Sequence, residues 1–358
     1  MFVNKKFKNP LKNLEKITKN NILEESSFML SHLRKSPFSM RFFSPAIQNQ
    51  GVLLKQVQLS NGETYAYREV GEGSKVLLMT HAALTSSYFF QNLFPALSKH
   101  FKIIAPDLRG SGHSTYLKPV NSIEDYVDDL KLFVDALNLK QINFFGWSLG
   151  GTIGMKFAAK YAQDLESLII ASAANFKGGP LYQTANGGLV KMPLLHREEC
   201  YQHPFVQETH NRIVQKRREE LREKFFKFCY HGICKPEPAR MNQYIEEALL
   251  TRNAQEYIIN KAFFNYSTEH NGVMQGTGEA YQIKAKTLII HGTNDQVCDP
   301  SIAKELKNCI GRNAQLKLLS GAGHCVFEDF PEETIDAVKN FCYQKPIFNQ
   351  ETSRVSTA

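Results

Sequence analysis

The stretch Gln141 to Lys156, QINFFGWSLGGTIGMK, constrains this chain most, because it reads as a short apolar strand, a glycine-bracketed reversal and a helix. Ile142 to Phe145 is β-prone, and Gly151 to Tyr161 carries small and apolar residues at helical spacing. Between them Gly146, Trp147, Ser148, Leu149 and Gly150 spell G-x-S-x-G. A strand that turns into a helix within a few residues brings its neighbours so close that side chains beside the apex would clash, so glycine is needed there. Ser148 is therefore expected above the edge of a sheet, at the amino end of a helix, where backbone N–H groups and the helix dipole hold developing negative charge. A tight turn with an incidental serine would satisfy the five residues alone, so the reading depends on partners elsewhere in the chain.

The rest of the pattern supplies a frame for such an apex. Leu53 to Leu59 and Glu63 to Val70 alternate as strands around an Asn61-Gly62 hairpin turn. Lys75 to Thr80, KVLLMT, is a short buried strand, and Tyr88 to Ser98 follows as helix. Phe101 to Ala105 is a strand, Ile123 to Leu137 an amphipathic helix, and Leu168 to Ser172 another strand. This rhythm predicts an α/β fold, a mostly parallel sheet covered by helices on both faces, with ligands at the carboxyl ends of the strands. The rhythm stops between about 176 and 283, where helical and polar segments appear without a convincing buried strand. Arg212 to Phe228 reads there as a helix with a charged, solvated face. The rhythm resumes with Thr287 to His291, helix Ser301 to Cys309, strand Gln315 to Leu319 and helix Glu332 to Phe341. The organisation implied is a core of residues 51–175 and 284–345, an inserted helical cap at 176–283 and a loose tail at 346–358.

Charge is concentrated at one end. Residues 1 to 50 hold nine Lys/Arg against three acids, which accounts for six of the net eight positive charges. The basic balance therefore belongs to a leader or arm and gives no case for nucleic-acid binding. From Ser26 to Ile47 this leader is basic, Ser-rich and free of acids, and Arg41-Phe42-Phe43-Ser44 resembles a mitochondrial processing site. An intracellular, cytoplasmic protein with a surface arm and a mitochondrial one with residues 1–44 as a transit peptide are both open. No apolar run approaches the roughly eighteen residues of a membrane span. Seven scattered cysteines without CxxC or zinc-like spacing fit reduced thiols, and no metal or cofactor is expected.

A serine hydroxyl needs a base, and the base an acid to orient it. His324 follows strand Gln315 to Leu319 through Ser320-Gly321-Ala322-Gly323, and Asp295 lies just after strand TLIIH; the chain order is then Ser148, Asp295, His324. Asp299 is a rival acid, and Asp295 could instead cap the helix ahead of Asp299-Pro300. His81 and His113 read as structural or pocket-lining, Asp107 and Arg109 as pins for the loop after the fourth strand, and Trp147 as a pocket wall.

With H-A-A-L after the third strand, D-L-R-G-S-G-H-S after the fourth, G-W-S-L-G-G, H-G-T-N-D and G-A-G-H, the sequence from about Leu53 to Phe341 resembles the α/β-hydrolase superfamily. The likeness is nearest to capped esterases, enol-lactone hydrolases and cofactor-free haloperoxidases. The resemblance implies an eight-stranded sheet with a cap, the triad Ser148, Asp295 and His324, and oxyanion donors at the backbone of Ala83 and Leu149. His81 and Trp147 would line the substrate site. One departure is His81-Ala82 where the family usually has His-Gly; alanine resists positive φ, which puts the shape of the Ala83 loop in question. The expected activity is hydrolysis of a small or medium acyl substrate, an ester or lactone, by a Ser-His-Asp enzyme. Carbon–carbon bond hydrolysis or lyase chemistry on the same triad, and a non-catalytic ligand-binding or assembly role, are the alternatives. A serine at the apex argues against the epoxide hydrolases and haloalkane dehalogenases of this frame, which use aspartate.

Overall fold

Large apolar side chains on alternate sides of the strands give this sheet two buried faces. The structure, a computed structural model, describes residues 52–343 apart from 174, 186 and 187; the expected leader at 1–50 and tail at 346–358 lie outside the described residues. The strands are β1 (Leu53–Gln58), β2 (Thr64–Val70), β3 (Lys75–Thr80), β4 (Phe101–Pro106), β5 (Ile142–Trp147), β6 (Leu165–Ala171), β7 (Tyr182–Ala185), β8 (Gly188–Pro193), β9 (Lys286–Gly292) and β10 (Ala314–Leu319). Eight of them form one sheet in the order β1-β2-β4-β3-β5-β6-β9-β10. β2 pairs antiparallel with β1 and β4, and every pairing from β4 onward to β10 is parallel. In β5, Ile142 and Phe144 pack on one side with Ile104, Leu168 and Ile289, while Phe145 and Trp147 pack on the other with Ile103, Ile169 and Ile290. That two-residue period, apolar on both phases, is what a parallel sheet covered on both faces demands.

The helices are α1 (Phe94–Leu97), α2 (Ile123–Ala136), α3 (Leu149–Lys160), α4 (Arg197–Tyr201), α5 (Pro204–Val214), α6 (Arg218–Lys224), α7 (Pro238–Ala248), α8 (Ala254–Ala262), α9 (Pro300–Ile310), α10 (Val326–Asp329) and α11 (Pro331–Tyr343). α2 starts at a reciprocal Ser122/Asp125 capping box and buries Ile123, Tyr126, Val127, Leu130, Phe133 and Val134, one helical stripe. With α3 and α9 it covers one face of the sheet, and α1 and α11 cover the other through Phe94, Leu97, Val338 and Phe341. The expected helix from Tyr88 to Ser98 is instead a 3₁₀ turn, Ser87–Phe90, followed by α1. Pro95 explains the break, since within a helix continuous from Tyr88 its ring would meet the carbonyl four residues back.

Helices α4 to α8 lie between β6 and β9. Two features there were not foreseen. β7 and β8 form a hairpin outside the main sheet, and the helix expected over Arg212–Phe228 breaks at Lys216, which has φ +50°, before restarting as α6. The inserted block is tied to the core by buried polar contacts: Arg68 of β2 pairs with Glu247 of α7 at 3.2 Å, and the Asn253 amide donates to the Arg109 carbonyl at 2.7 Å. Phe89 stacks on Tyr244 with ring centres 4.3 Å apart. Among the described residues no helix is long and apolar enough to cross a membrane.

Candidate active site

Ser148 sits where β5 reverses into α3, with φ +52° and ψ −113°, a conformation that non-glycine residues rarely hold. The bracketing glycines make that reversal sterically possible. A Cβ on Gly150 would lie 2.1 Å from the Thr80 carbonyl oxygen, and one on Gly146 would lie 2.3 Å from the Gly150 oxygen. The Ser148 N–H donates to Ala171 O at 3.0 Å, while its own carbonyl accepts from Gly151 and Thr152. Leu149 is the first residue of α3, so its N–H has no acceptor within the helix and faces the same edge as the serine.

The loop after β3 approaches that edge from the other side. Ala83 lies in a turn and is partly exposed. The positive φ that the family's glycine would suit is not needed at Ala82; it falls on Leu84, at +60°. His81 fixes this loop. Its Nε2 lies 3.0 Å from the Leu108 N–H and must accept, so Nδ1 carries the proton and donates to Ala82 O at 2.8 Å. Thr85 donates to the same carbonyl. Burial lowers the pKa of His81 and keeps the ring neutral, in spite of the nearby Asp107 carboxylate. His81 is fully buried with both nitrogens engaged by backbone, which fits the structural side of the reading given to it. Asp107 and Arg109 are pins as expected. Asp107 accepts from the Ser87 N–H at 2.8 Å and the His113 N–H at 3.0 Å, and Arg109 is forked onto Asp129. His113 belongs to the same loop, its Nε2 3.7 Å from Glu247.

Asp295 follows β9 and His324 follows β10, and the two meet: His324 Nδ1 donates to Asp295 Oδ2 at 2.8 Å, both side chains buried. The other carboxylate oxygen accepts from the N–H groups of Val297 and Cys298 at 2.8 and 2.9 Å. Burial alone would raise the Asp295 carboxyl. The His324 charge, hydrogen bonds from His291 and His324 and the Cys298 N–H outweigh it, so Asp295 titrates well below the ordinary carboxylate range. Asp299, the rival acid, is exposed and caps α9 through the Ser301 N–H at 2.8 Å. Because Nδ1 is committed to Asp295, Nε2 of His324 is the nitrogen left to face a nucleophile. Ser148 and His324 are brought to the same edge through the intervening residue: the Trp147 indole N–H donates to the His324 carbonyl at 3.0 Å, with the two rings 5.9 Å apart. No hydrogen bond joins the Ser148 hydroxyl to the imidazole among the described residues. Trp147 has no exposed surface and supports the loop that carries His324.

Three supporting residues were not singled out from the sequence. His291, the histidine that opens H-G-T-N-D, places Nε2 3.0 Å from Cys298 O and 3.3 Å from Asp295 Oδ2, the same oxygen that His324 meets. Its spacing of four residues from Asp295 was visible, but no rule of helix or strand spacing applies across a loop. Asp329 accepts from the Gly323 N–H at 2.8 Å and the Cys234 N–H at 2.7 Å, joining the base loop to the inserted block. Cys298 packs beside the acid, and burial, with the Asp295 charge, pushes its thiol up to about 12.

A family model described as alpha/beta hydrolase fold matches residues 75–331. The chain belongs to the alpha/beta hydrolase fold family. Lipase 1 of Psychrobacter immobilis is 26% identical over 299 residues, 80% of this chain and 83% of that protein. A cis-3-alkyl-4-alkyloxetan-2-one decarboxylase of Shewanella oneidensis is 35% identical over 122 residues, 32% of this chain and 37% of that one. The crystal structure of the enol-lactonase from Burkholderia xenovorans superposes with a TM-score of 0.62 at 22% identity, covering 81% of this chain and 100% of that one. The bromoperoxidase from Bacillus anthracis gives 0.63 at 18% identity, with 82% and 100% covered. Kinship with esterase, lactonase and haloperoxidase members is thus met at the level of the fold, and with the family comes the expected enzyme of the hydrolase class.

Proposed function

We propose that this chain is a serine hydrolase that cleaves a carboxylic ester or lactone through Ser148, His324 and Asp295. The observation that carries the reading is the buried 2.8 Å bond from His324 Nδ1 to Asp295, formed at the strand edge where Ser148 is held in its strained turn. In the first half-reaction the Ser148 oxygen bonds to the acyl carbon and its proton passes to His324 Nε2. The carbonyl oxygen becomes an oxyanion held by the N–H groups of Ala83 and Leu149. The bond to the leaving alcohol then breaks and the alcohol takes the proton from Nε2. Water repeats the sequence on the acyl-enzyme, returning Ser148 to its starting state. Asp295, held anionic, keeps the imidazole in the correct tautomer and stabilises its charged form. The block at 176–283 acts as the cap over this edge, anchored through Glu247, Arg252 and Asn253.

The lipase relative supports the ester class, and the partial relative that acts on an oxetanone places β-lactones in the substrate panel. The test uses the full chain with a fluorophosphonate probe and a series of p-nitrophenyl esters and lactones of increasing chain length. Labelling is expected on Ser148, and Ser148→Ala is expected to lose about three or more orders of magnitude in kcat. A folded protein that is neither labelled nor active would favour a binding role. Full activity in Ser148→Ala would exclude the scheme.

A further inference from the structure

Asp295, which meets His324, also has a thiol close by. One carboxylate oxygen of Asp295, the Cys298 sulfur and one imidazole nitrogen of His324 all lie within 4.8 Å of one another, and all three residues are buried. Thiolate, imidazole and carboxylate together are the donor set of four-coordinate zinc. With bonds of about 2.0 to 2.3 Å, tetrahedral donors stand roughly 3.3 to 3.8 Å apart. The three donors would have to draw together by at most about 1.5 Å to reach that geometry, with one position left for water. Cys298 is free to contribute, since its sulfur is in no disulfide and it is the backbone N–H, not the thiol, that holds Asp295.

We propose that Asp295, Cys298 and His324 form an inhibitory site for Zn²⁺ or another thiophilic divalent cation. The exchange balances with one proton. The Cys298 thiol releases its proton to solvent as sulfur binds the metal. The proton that His324 Nδ1 donated to Asp295 moves to Nε2, which frees the Nδ1 lone pair for the cation. Asp295 enters already anionic. Nε2 then carries hydrogen and has no lone pair with which to take the Ser148 proton, so metal binding and catalysis exclude each other. The consequence for activity rests on His324 being the base proposed above; the binding itself does not.

The test titrates the metal-free full chain with Cd²⁺, reading the ultraviolet cadmium–thiolate charge-transfer band, and with Zn²⁺, reading ester hydrolysis before and after EDTA. Cys298→Ser, Cys298→Ala and Cys234→Ser are run beside wild type, each normalised to its own metal-free rate. Expected are one tight equivalent of Cd²⁺ with a thiolate band and Zn²⁺ inhibition that EDTA reverses. Both Cys298 variants should lose the tight band and need about tenfold or more Zn²⁺ for half inhibition; Cys234→Ser should match wild type. A band unchanged in both Cys298 variants, or lost in Cys234→Ser instead, overturns the site. Should the protein bind Cd²⁺ through Cys298 yet hydrolyse no ester, the metal site stands and the proposed reaction falls.

Discussion

Replacing Gly150 by alanine tests whether the serine's position depends on how closely α3 sits against β3. The new Cβ would stand 2.1 Å from the Thr80 oxygen, 2.6 Å from its carbonyl carbon and 2.8 Å from its Oγ1. Ordinary contact begins at 3.4 Å, so the first turn of α3 and the end of β3 must separate by about 1.3 Å. Neither side yields cheaply, because the obstructing atoms are backbone on a strand paired to β4 and β5. The stability cost expected of such overpacking is about 1–3 kcal/mol. The catalytic cost should be larger, because Ala83 extends from β3 and Ser148 and Leu149 from α3, so the separation pulls the proposed oxyanion donors apart. A misplacement of about 1 Å costs on the order of a hundredfold in rate. Gly154→Ala is the matched control: on the same helix, its Cβ would meet the Phe144 ring at 2.7 Å and a Leu168 methyl at 3.0 Å, deep in the core and away from the site. Urea denaturation and steady-state kinetics on a p-nitrophenyl ester should find both variants destabilised, and only Gly150→Ala down about a hundredfold in kcat. Wild-type kcat in a folded Gly150→Ala, or equal losses in the two variants, would refute the argument.

The depressed carboxyl of Asp295 makes a pH prediction of definite sign. Its contribution to stability is complete above the unfolded-chain value of about 3.9 and is lost as pH falls from there toward the lower value it holds in the fold. Between about pH 5 and 3, wild type should therefore lose urea stability more steeply than Asp295→Asn, and parallel curves would count against it. At the junction of core and inserted block, Arg68→Met would leave Asp107 and Glu247 buried without their shared cation. The loss should be about 3–5 kcal/mol by urea denaturation, with faster proteolysis of the 176–283 block; a change under about 1 kcal/mol would show the pair is dispensable.

Much of the fold could be read in advance because the signals are local. Strands KVLLMT and TLIIH are apolar on both phases, a pattern that a doubly covered sheet imposes and a surface strand does not. The hairpin of β7 and β8 carries no such mark, since it lies outside the main sheet and Tyr182 and Met192 are exposed. The misread helix at Arg212–Phe228 failed for a related reason. Its charges alternate smoothly through Lys216, and charge pattern does not register an exposed residue at positive φ where the chain turns between α5 and α6. In the candidate site, the sequence singles out residue types with one chemical use: the elbow serine, the glycine-preceded histidine, the aspartate after a strand. His81 and Trp147 are buried against backbone carbonyls, surroundings the sequence does not announce, because a ring beside a nucleophile looks the same in sequence whether it faces substrate or braces a carbonyl.

The deeper reason is that alignment of the candidate triad runs largely through main chain, which side-chain identity does not encode. Ser148 donates its N–H to Ala171 at the end of β6, Ser172 donates to Ile290 on β9 at 2.8 Å, and Thr293 and Asn294 donate to Leu319 and Ala322 at 3.0 and 2.9 Å. These bonds form a continuous run of backbone steps from the elbow across two strand ends to the loop that carries His324. Ser172, like Ser148, pays for its step with positive φ, at +46°, a strain of about 1–3 kcal/mol that only the surrounding pairings can hold. Glycines betray the run in sequence. Gly292 is one, because a Cβ there would lie 2.3 Å from the Ala322 carbonyl, and it stands in H-G-T-N-D for the same reason that Gly146 and Gly150 flank the serine. Motifs of this kind record where two backbones touch, and the reactive side chains follow from that contact.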